Sequence, residues 1–237
     1  MLYSEKMKQL LEKFGVDTST LPDNLYSTLL DAIYNVEVAQ NVELVDNPSG
    51  GLASLNSIVK KVDIPYGISY IVTGAFENCT SLASINIPDS VTSIRERAFY
   101  NCSSLTSVNI PNGVPRIEDS TFWQCTSLTS INIPDSVTSI GSMAFINCKS
   151  LESITIGNGV KSIGSQAIQG CAIKSINIPD SVTSIGSMAF INCKSLANIY
   201  YKGTEEQWNA ITKGSNWNSN MGSNVEGGTK IHYNYTG

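Results

Sequence analysis

Charge is what this chain most conspicuously has little of. Only 15% of its residues are charged, against roughly 25% in an ordinary soluble protein, so its surface has to be neutral and polar. The net charge of -5 and pI near 4.9 leave no basic face for a phosphate backbone to hold, which excludes nucleic acid as an expected partner. Histidine is nearly absent too. The single one, His232, stands in the terminal segment with no nucleophile in view and reads as a surface or cap residue. No apolar run approaches the roughly 18–20 residues of a membrane span, so membrane insertion is not expected. Residues 1–16 lack the uninterrupted apolar core of a secretory signal. This places the protein outside the cell, or on its surface, only if a leader has been removed, and otherwise in a virion or the cytoplasm. Neither a phosphate-cradling G-x-x-x-x-G-K-[ST] nor a nucleophile elbow G-x-S-x-G occurs. Catalytic residues, cofactors and bound metals are therefore expected to be none, and the protein is read as a non-enzyme.

What the chain does have is a period. Cysteines stand at 79, 102, 125, 148, 171 and 193, a step of 23 residues and once of 22. A fixed period of that length marks a solenoid, in which each coil buries its apolar face against its neighbours. Zinc sites place cysteines two to four residues apart, not one per coil. Equivalent side chains on coils about 4.8 Å apart point in parallel, whereas a disulfide wants converging Cβ atoms about 3.8 Å apart. Buried free thiols acting as small hydrophobes are the expectation.

The columns of the repeat each have a physical reading. Ile85-Asn86-Ile87, Val108-Asn109-Ile110, Ile131-Asn132-Ile133, Ile154-Thr155-Ile156 and Ile176-Asn177-Ile178 alternate with period two and predict short strands forming one parallel sheet. A degenerate first coil is expected at Val62, Ile64 and Pro65. Pro88-Asp89-Ser90 and its equivalents supply turn chemistry. The acidic residue there is explained by the turn, and one carboxylate per coil falls short of the six to eight oxygens calcium takes. Val91 and Ile94 with their equivalents return to the core, in a second, shorter strand. The apolar steps of three from Phe76 to Cys79 to Leu82 predict one or two helical turns. Asn78, Asn101, Asn147 and Asn192 are expected to ladder along the coils.

The run S-I-N-I-P-D-S-V-T-S-I-G-x-x-A-F-x-N-C-x-S-L, at 130–151 and 175–196, resembles the BspA-type, or Treponema pallidum-type, leucine-rich repeat family. The resemblance covers about residues 58–201. It implies an α/β solenoid, a right-handed superhelix of about 23-residue coils, and an association with adhesion on microbial surfaces. The family has no shared catalytic residues to carry over. Ile199 to Gln207 resembles the terminal cap of such arrays.

The expected organisation is an N-terminal helical segment over 1–45, a repeat solenoid over 46–201 and a C-terminal cap over 202–237. Amphipathic patterns at 4–14 and 22–35 read as a cap on the first coil or as an attachment piece that would make a homo-oligomer; residues 36–44 read as a strand and 47–51 as a linker. Thr204 with Gln207 marks a helix start, 218–229 a loop and 230–235 a closing strand.

Two surfaces stand out. One is the strand face, with Asn86, Asn109, Asn132 and Asn177 in an uncharged stripe. The other is the column after Phe, where Tyr100, Trp123 and Ile146 form an exposed apolar patch, with Arg97 and Arg116 beside it; such residues dominate binding hot spots. Both surfaces also have a bland reading, as a solvated sheet face and as ordinary packing. The expected function is an adhesion or recognition scaffold binding a protein or glycan. The alternative is a structural or receptor-binding subunit of a phage particle, held by residues 1–45.

Overall fold

The computed structural model describes residues 60–64 and 66–236. The expected N-terminal helices, the strand over 36–44, the linker and Pro65 lie outside the described residues.

Along one side of the coils run β1 (Lys61–Asp63), β3 (Ser84–Asn86), β5 (Ser107–Val108), β7 (Ser130–Ile133), β9 (Ser153–Ile156), β11 (Ser175–Ile178), β13 (Asn198–Tyr201) and β15 (Lys230–His232). Along another run the two-residue strands β2 (Tyr70–Ile71), β4 (Ser93–Ile94), β6 (Arg116–Ile117), β8 (Ser139–Ile140), β10 (Ser162–Ile163), β12 (Ser184–Ile185) and β14 (Thr212–Lys213). All pairings are parallel, each strand with its equivalent one coil away, so Ser130 faces Ser153 and Ile131 faces Ile154. Val62 pairs with Ile85, so the degenerate first coil is a true turn of the stack. The chain is a parallel-strand solenoid with coils of about 23 residues, as its periodicity requires.

Period two puts both isoleucines of each long strand inward, and the core contains Ile131, Ile133, Ile154, Ile156, Ile176 and Ile178. The turns after these strands close as expected, with the N–H of Val91 on the Pro88 carbonyl and that of Val137 on Pro134. Serines in these turns also donate to the previous coil, Ser136 to the Val114 carbonyl and Ser181 to that of Val160.

Between the short strand and the next long one, the expected helical turns do not form. The N–H groups alternate in destination: those of Glu77, Cys79 and Leu82 close tight turns on Gly74, Phe76 and Cys79, while those of Gly74, Phe76 and Asn78 donate to Glu96, Ala98 and Tyr100 in the next coil. An α-helix would keep every N–H inside its own coil and leave this side of the stack unjoined. Two columns also adopt left-handed backbone, which no right-handed helix accommodates. In one, Asn78, Asn101, Gln124, Asn147, Gly170 and Asn192 all have φ between 55° and 70°. That preference for Asn or Gly is the local reason the column reads as it does. The side-chain ladder exists in pieces, Asn101 Nδ2 donating to Asn78 Oδ1 at 2.9 Å and Asn220 Nδ2 to Asn192 Oδ1 at 3.1 Å.

Each sheet is interrupted once, near the coil carrying Pro111 and Pro115. The long-strand sheet divides between β5 and β7, the short-strand sheet between β4 and β6. In the other coils a backbone N–H reaches back at this point, from Thr92 to Ser69, from Thr138 to Pro115 and from Lys161 to Thr138. Pro115 has no N–H to give, and the ladder skips a rung.

The interior is a set of columns. Phe76, Phe99, Phe122 and Phe145 stack with centroids 5.3–5.4 Å apart and planes within 6°; Ile168 ends the ladder. All six cysteines are free and buried. Their thiols follow a column of their own, Cys102 donating to the Phe76 carbonyl, Cys125 to Phe99 and Cys148 to Phe122 at 3.1–3.2 Å.

At the C-terminal end, Thr204 and Gln207 form the expected reciprocal cap on α1 (Glu205–Ala210). The helix stops at Ala210, short of Gly214, because Ile211 is already extended. It buries Trp208 against Tyr201 and Trp217. Through β14 and β15 the cap extends both sheets by one strand.

Candidate functional site

Among the described residues no three His, Cys, Asp or Glu side chains come together as a metal site, and no helix is long and apolar enough to cross a membrane. Burial pushes every thiol pKa up, that of Cys79 to about 12. A protonated, enclosed thiol is neither nucleophile nor metal ligand. The chemistry of the solenoid therefore lies on its outside, in two places.

The first is built on the tight turns of the coils beginning at Ile71, Ile94 and Ile117. Tyr100 and Trp123 occupy the same position in adjacent coils, so the coil spacing sets their rings face to face, centroids 4.3 Å apart and planes 6° off parallel. Both are half-buried. The Arg97 guanidinium lies over the Tyr100 ring, 4.2 Å from its centroid, well inside cation–π range. Glu77 holds that guanidinium with both carboxylate oxygens, through Nε at 3.2 Å and through Nη2. This hydrogen bonding raises the Arg97 pKa further. The result is a cation and two aromatic faces fixed in one assembly, with Arg97 itself held at φ 56°.

Two members expected there are placed elsewhere. Ile146 is 6% exposed; it continues the column after Trp123 as a buried residue. Arg116 starts β6 on the short-strand side and pairs with Glu118 at 3.5 Å. The assembly is thus exposed Arg97 with half-buried Tyr100 and Trp123, with Ile146 buried and Arg116 paired to Glu118.

The second place is the long-strand face. Asn86, Asn109, Asn132, Thr155 and Asn177 are all exposed. Asn109 differs from the rest, its amide accepting from the Ile87 N–H at 3.2 Å and donating to the Ile87 carbonyl at 2.7 Å. It joins the coil of β5 to that of β3 just past their last paired residues, so its amide is spent internally. From Asn132 onward the column is continuous: Asn132 pairs with Thr155, Thr155 with Asn177, Asn177 with Tyr200 and Tyr200 with His232.

That aromatic end was not visible as a site in the sequence. Tyr200 contacts His232 at 4.8 Å, stacked, and Tyr235 at 4.7 Å, and His232 Nε2 meets Asn198 Oδ1 at 2.8 Å. Its one signal is that Asn198-Ile199-Tyr200-Tyr201 keeps strand alternation with Tyr in the Asn column; which strand His232 would face depends on the β13–β15 pairing. Beside the column, at the turns, lies a groove of about 470 Å³ that includes Asn132, Thr155, Asp135, Asn158 and Lys202. Asp135 accepts from the Asn158 N–H at 2.6 Å, and Lys202 donates to Asn158 Oδ1 at 2.8 Å.

A family model described as BspA type leucine rich repeat region, with six copies, matches residues 53–134 and 116–223. Among solved structures, the chain is similar to a leucine rich repeat protein of T. pallidum, with 30% identity and a TM-score of 0.59 over 65% of this chain and 73% of that one. A leucine rich cell surface protein of Faecalibacterium prausnitzii A2-165 has 31% identity and a TM-score of 0.38, over 65% of this chain and 62% of its own. A leucine-rich repeat protein of Bacteroides ovatus has 23% identity and a TM-score of 0.37, over 74% of this chain and 66% of its own. Comparison with curated proteins gives no match.

Proposed function

The chain belongs to the BspA-type leucine-rich repeat family, and we propose that it is a non-enzymatic recognition scaffold, an adhesion module that binds a protein or glycan through the outside of its coils. The observation that carries this reading is the Arg97–Tyr100–Trp123 assembly. Aromatic rings and an arginine are the side chains that concentrate binding energy, because they bring large contact area at little entropic cost. Here they are ordered before any partner arrives: the Glu77 clamp and the ring stack hold them in one arrangement. A partner meeting a preorganised anchor does not have to order it on binding. Around the anchor stand the charged residues Arg95, Glu96, Glu118 and Asp119, so affinity combines contact across several coils with an electrostatic part that weakens as salt rises.

The virion-subunit alternative rests on residues 1–45 as an attachment piece, and no described residue bears on it. The test is binding of the whole chain to a panel of host matrix proteins and glycans, with Tyr100→Ala and Trp123→Ala as variants. Retained folding with a loss of about tenfold or more in affinity is expected for each, the size of a hot-spot truncation. Binding that survives both substitutions removes the assembly from the site. No binding to any member of the panel overturns the recognition reading.

A further inference from the structure

From the Tyr200 face we infer that the C-terminal half of the long-strand surface, from the Asp135–Asn158 groove to the Tyr200–His232–Tyr235 cluster, is a binding site for an uncharged oligosaccharide. This narrows the recognition reading to a ligand class at a second location, and it stands apart from the Arg97 assembly.

Three observations meet here. The first is aromatic. Tyr200, His232 and Tyr235 form one contiguous group of rings, half-buried to exposed, in register with the polar column beside it. The face of an aromatic ring is electronegative, and the C–H bonds on one face of a pyranose ring present weakly positive hydrogens to it.

The second is the polar column. Asn132, Thr155 and Asn177 stand one per coil on the three strands before Tyr200, a run of about 10 Å, or about 14 Å to Tyr200 itself, at the usual strand spacing. Amides and hydroxyls both donate and accept, as does every sugar hydroxyl, so a chain of alternating donors and acceptors meets its complement. Unlike the amide of Asn109, which is spent on the Ile87 backbone, these three amide and hydroxyl groups face outward from exposed positions.

The third is charge. Ser130, Ser153, Ser175 and Asn198 flank the column, so both registers of the face are uncharged across four strands, and only on the fifth does one cation, Lys230, stand beside His232. In the groove one cation, Lys202, and one anion, Asp135, both bond Asn158, leaving no net charge for an ionic ligand to neutralise. A peptide with apolar anchors would find no receptor either, because Ile131, Ile133, Ile154, Ile156, Ile176 and Ile178 all point inward. An uncharged glycan is the class that fits all three.

The experiment is isothermal titration of the whole chain with cellotetraose, xylotetraose, mannotetraose and chitotetraose, and with tetragalacturonate and a heparin tetrasaccharide as acidic comparators. At least one neutral tetrasaccharide should bind, and neither acidic one more tightly. Tyr200→Ala should weaken that binding about tenfold, the effect of removing an aromatic anchor. Asn177→Ala should weaken it by less, and Tyr200→Phe should retain it because the ring and not the hydroxyl stacks. Thermal melting checks that each variant is folded. If Tyr200→Ala does not fold, His232→Ala and Asn177→Ala carry the test. No binding to any neutral tetrasaccharide, preference for an acidic one, or binding undiminished in folded Tyr200→Ala and Asn177→Ala overturns the proposal. Since the Arg97 assembly is read out by Trp123→Ala, such a failure leaves the broader recognition reading standing.

Discussion

Residues 130–151 and 175–196 have the same sequence, 22 residues without a difference, yet the fold uses them differently. Within the coil they behave alike: both lay down a four-residue strand, a Pro-closed turn and a two-residue strand, and both hold Asn147 or Asn192 at left-handed φ near 60°. What differs is set by the neighbouring coil. Phe145 lies flat on Phe122, planes 2° apart, whereas Phe190 meets the edge of Trp217 at 85°. Ile146 is buried between Trp123 and the next coil, while Ile191 is partly exposed beside the cap loop. Met143 is exposed and Met188 only half so. Local sequence therefore dictates the shape of a coil, and the coils above and below dictate what it shows to a partner.

The largest effect tests what the two copies share. Cys148 and Cys193, like the other four thiols, have pKa values raised by burial. Folding favours their protonated form, so stability is fully present below the ordinary thiol value of 9.0 and falls as pH rises from there toward the folded value, about 12 for Cys79. Six such groups acting together should make urea midpoints drop steeply above pH 9, and Cys148→Ala with Cys193→Ala should flatten the slope; a midpoint independent of pH from 8 to 11 would sink this account.

Next in size, Phe145→Ala should cost about 3–5 kcal/mol in urea unfolding, as expected for a fully enclosed aromatic residue. Phe190→Ala belongs in the same range, because its edge-to-face contact with Trp217 is a favourable aromatic pair just as the stack of Phe145 on Phe122 is. A loss at Phe190 smaller by more than about 1.5 kcal/mol would show that the stacked geometry is worth more than the edge-on one.

Ile146→Asn and Ile191→Asn separate the copies most cleanly. Burying an unpaired amide costs about 1–3 kcal/mol, so the first should destabilise by that much and the second by roughly 1 kcal/mol or less. The last expected effect is again a shared one. Asn147→Ala and Asn192→Ala should each lose about 1–2 kcal/mol through the left-handed backbone, and Asn147→Gly should be close to neutral, since Gly170 already occupies that column one coil on.

The solenoid was legible because a solenoid writes its geometry at every period: the cysteine step, the Ile-x-Ile strands and the Pro-Asp turns each give one column, and the structure stacks them. The short helix was misread because an apolar step of three, Phe76 to Cys79 to Leu82, fits a helical turn and a chain of tight turns equally well; only the next coil's carbonyls, invisible in one repeat, decide between them. On the outside, Tyr100 and Trp123 were found as a column and Arg97 as their neighbour. Ile146 was mistaken for a surface residue because column position alone does not say what stands above it. Arg116 is engaged by Glu118, an ion pair between near neighbours in the chain that the column alignment does not bring out. The Tyr200 cluster escaped because His232 joins it only through a pairing across the cap.

The central claim is that all six thiols form one enclosed row inside the stack while recognition is left to the exterior. Counting iodoacetamide adducts by mass spectrometry, on native chain at pH 8 and again in denaturant, tests it most directly. Protection of all six under native conditions, with six adducts once unfolded, is the result that follows from the structure. Prompt modification of even one interior cysteine such as Cys125 or Cys148 in the native protein would contradict it.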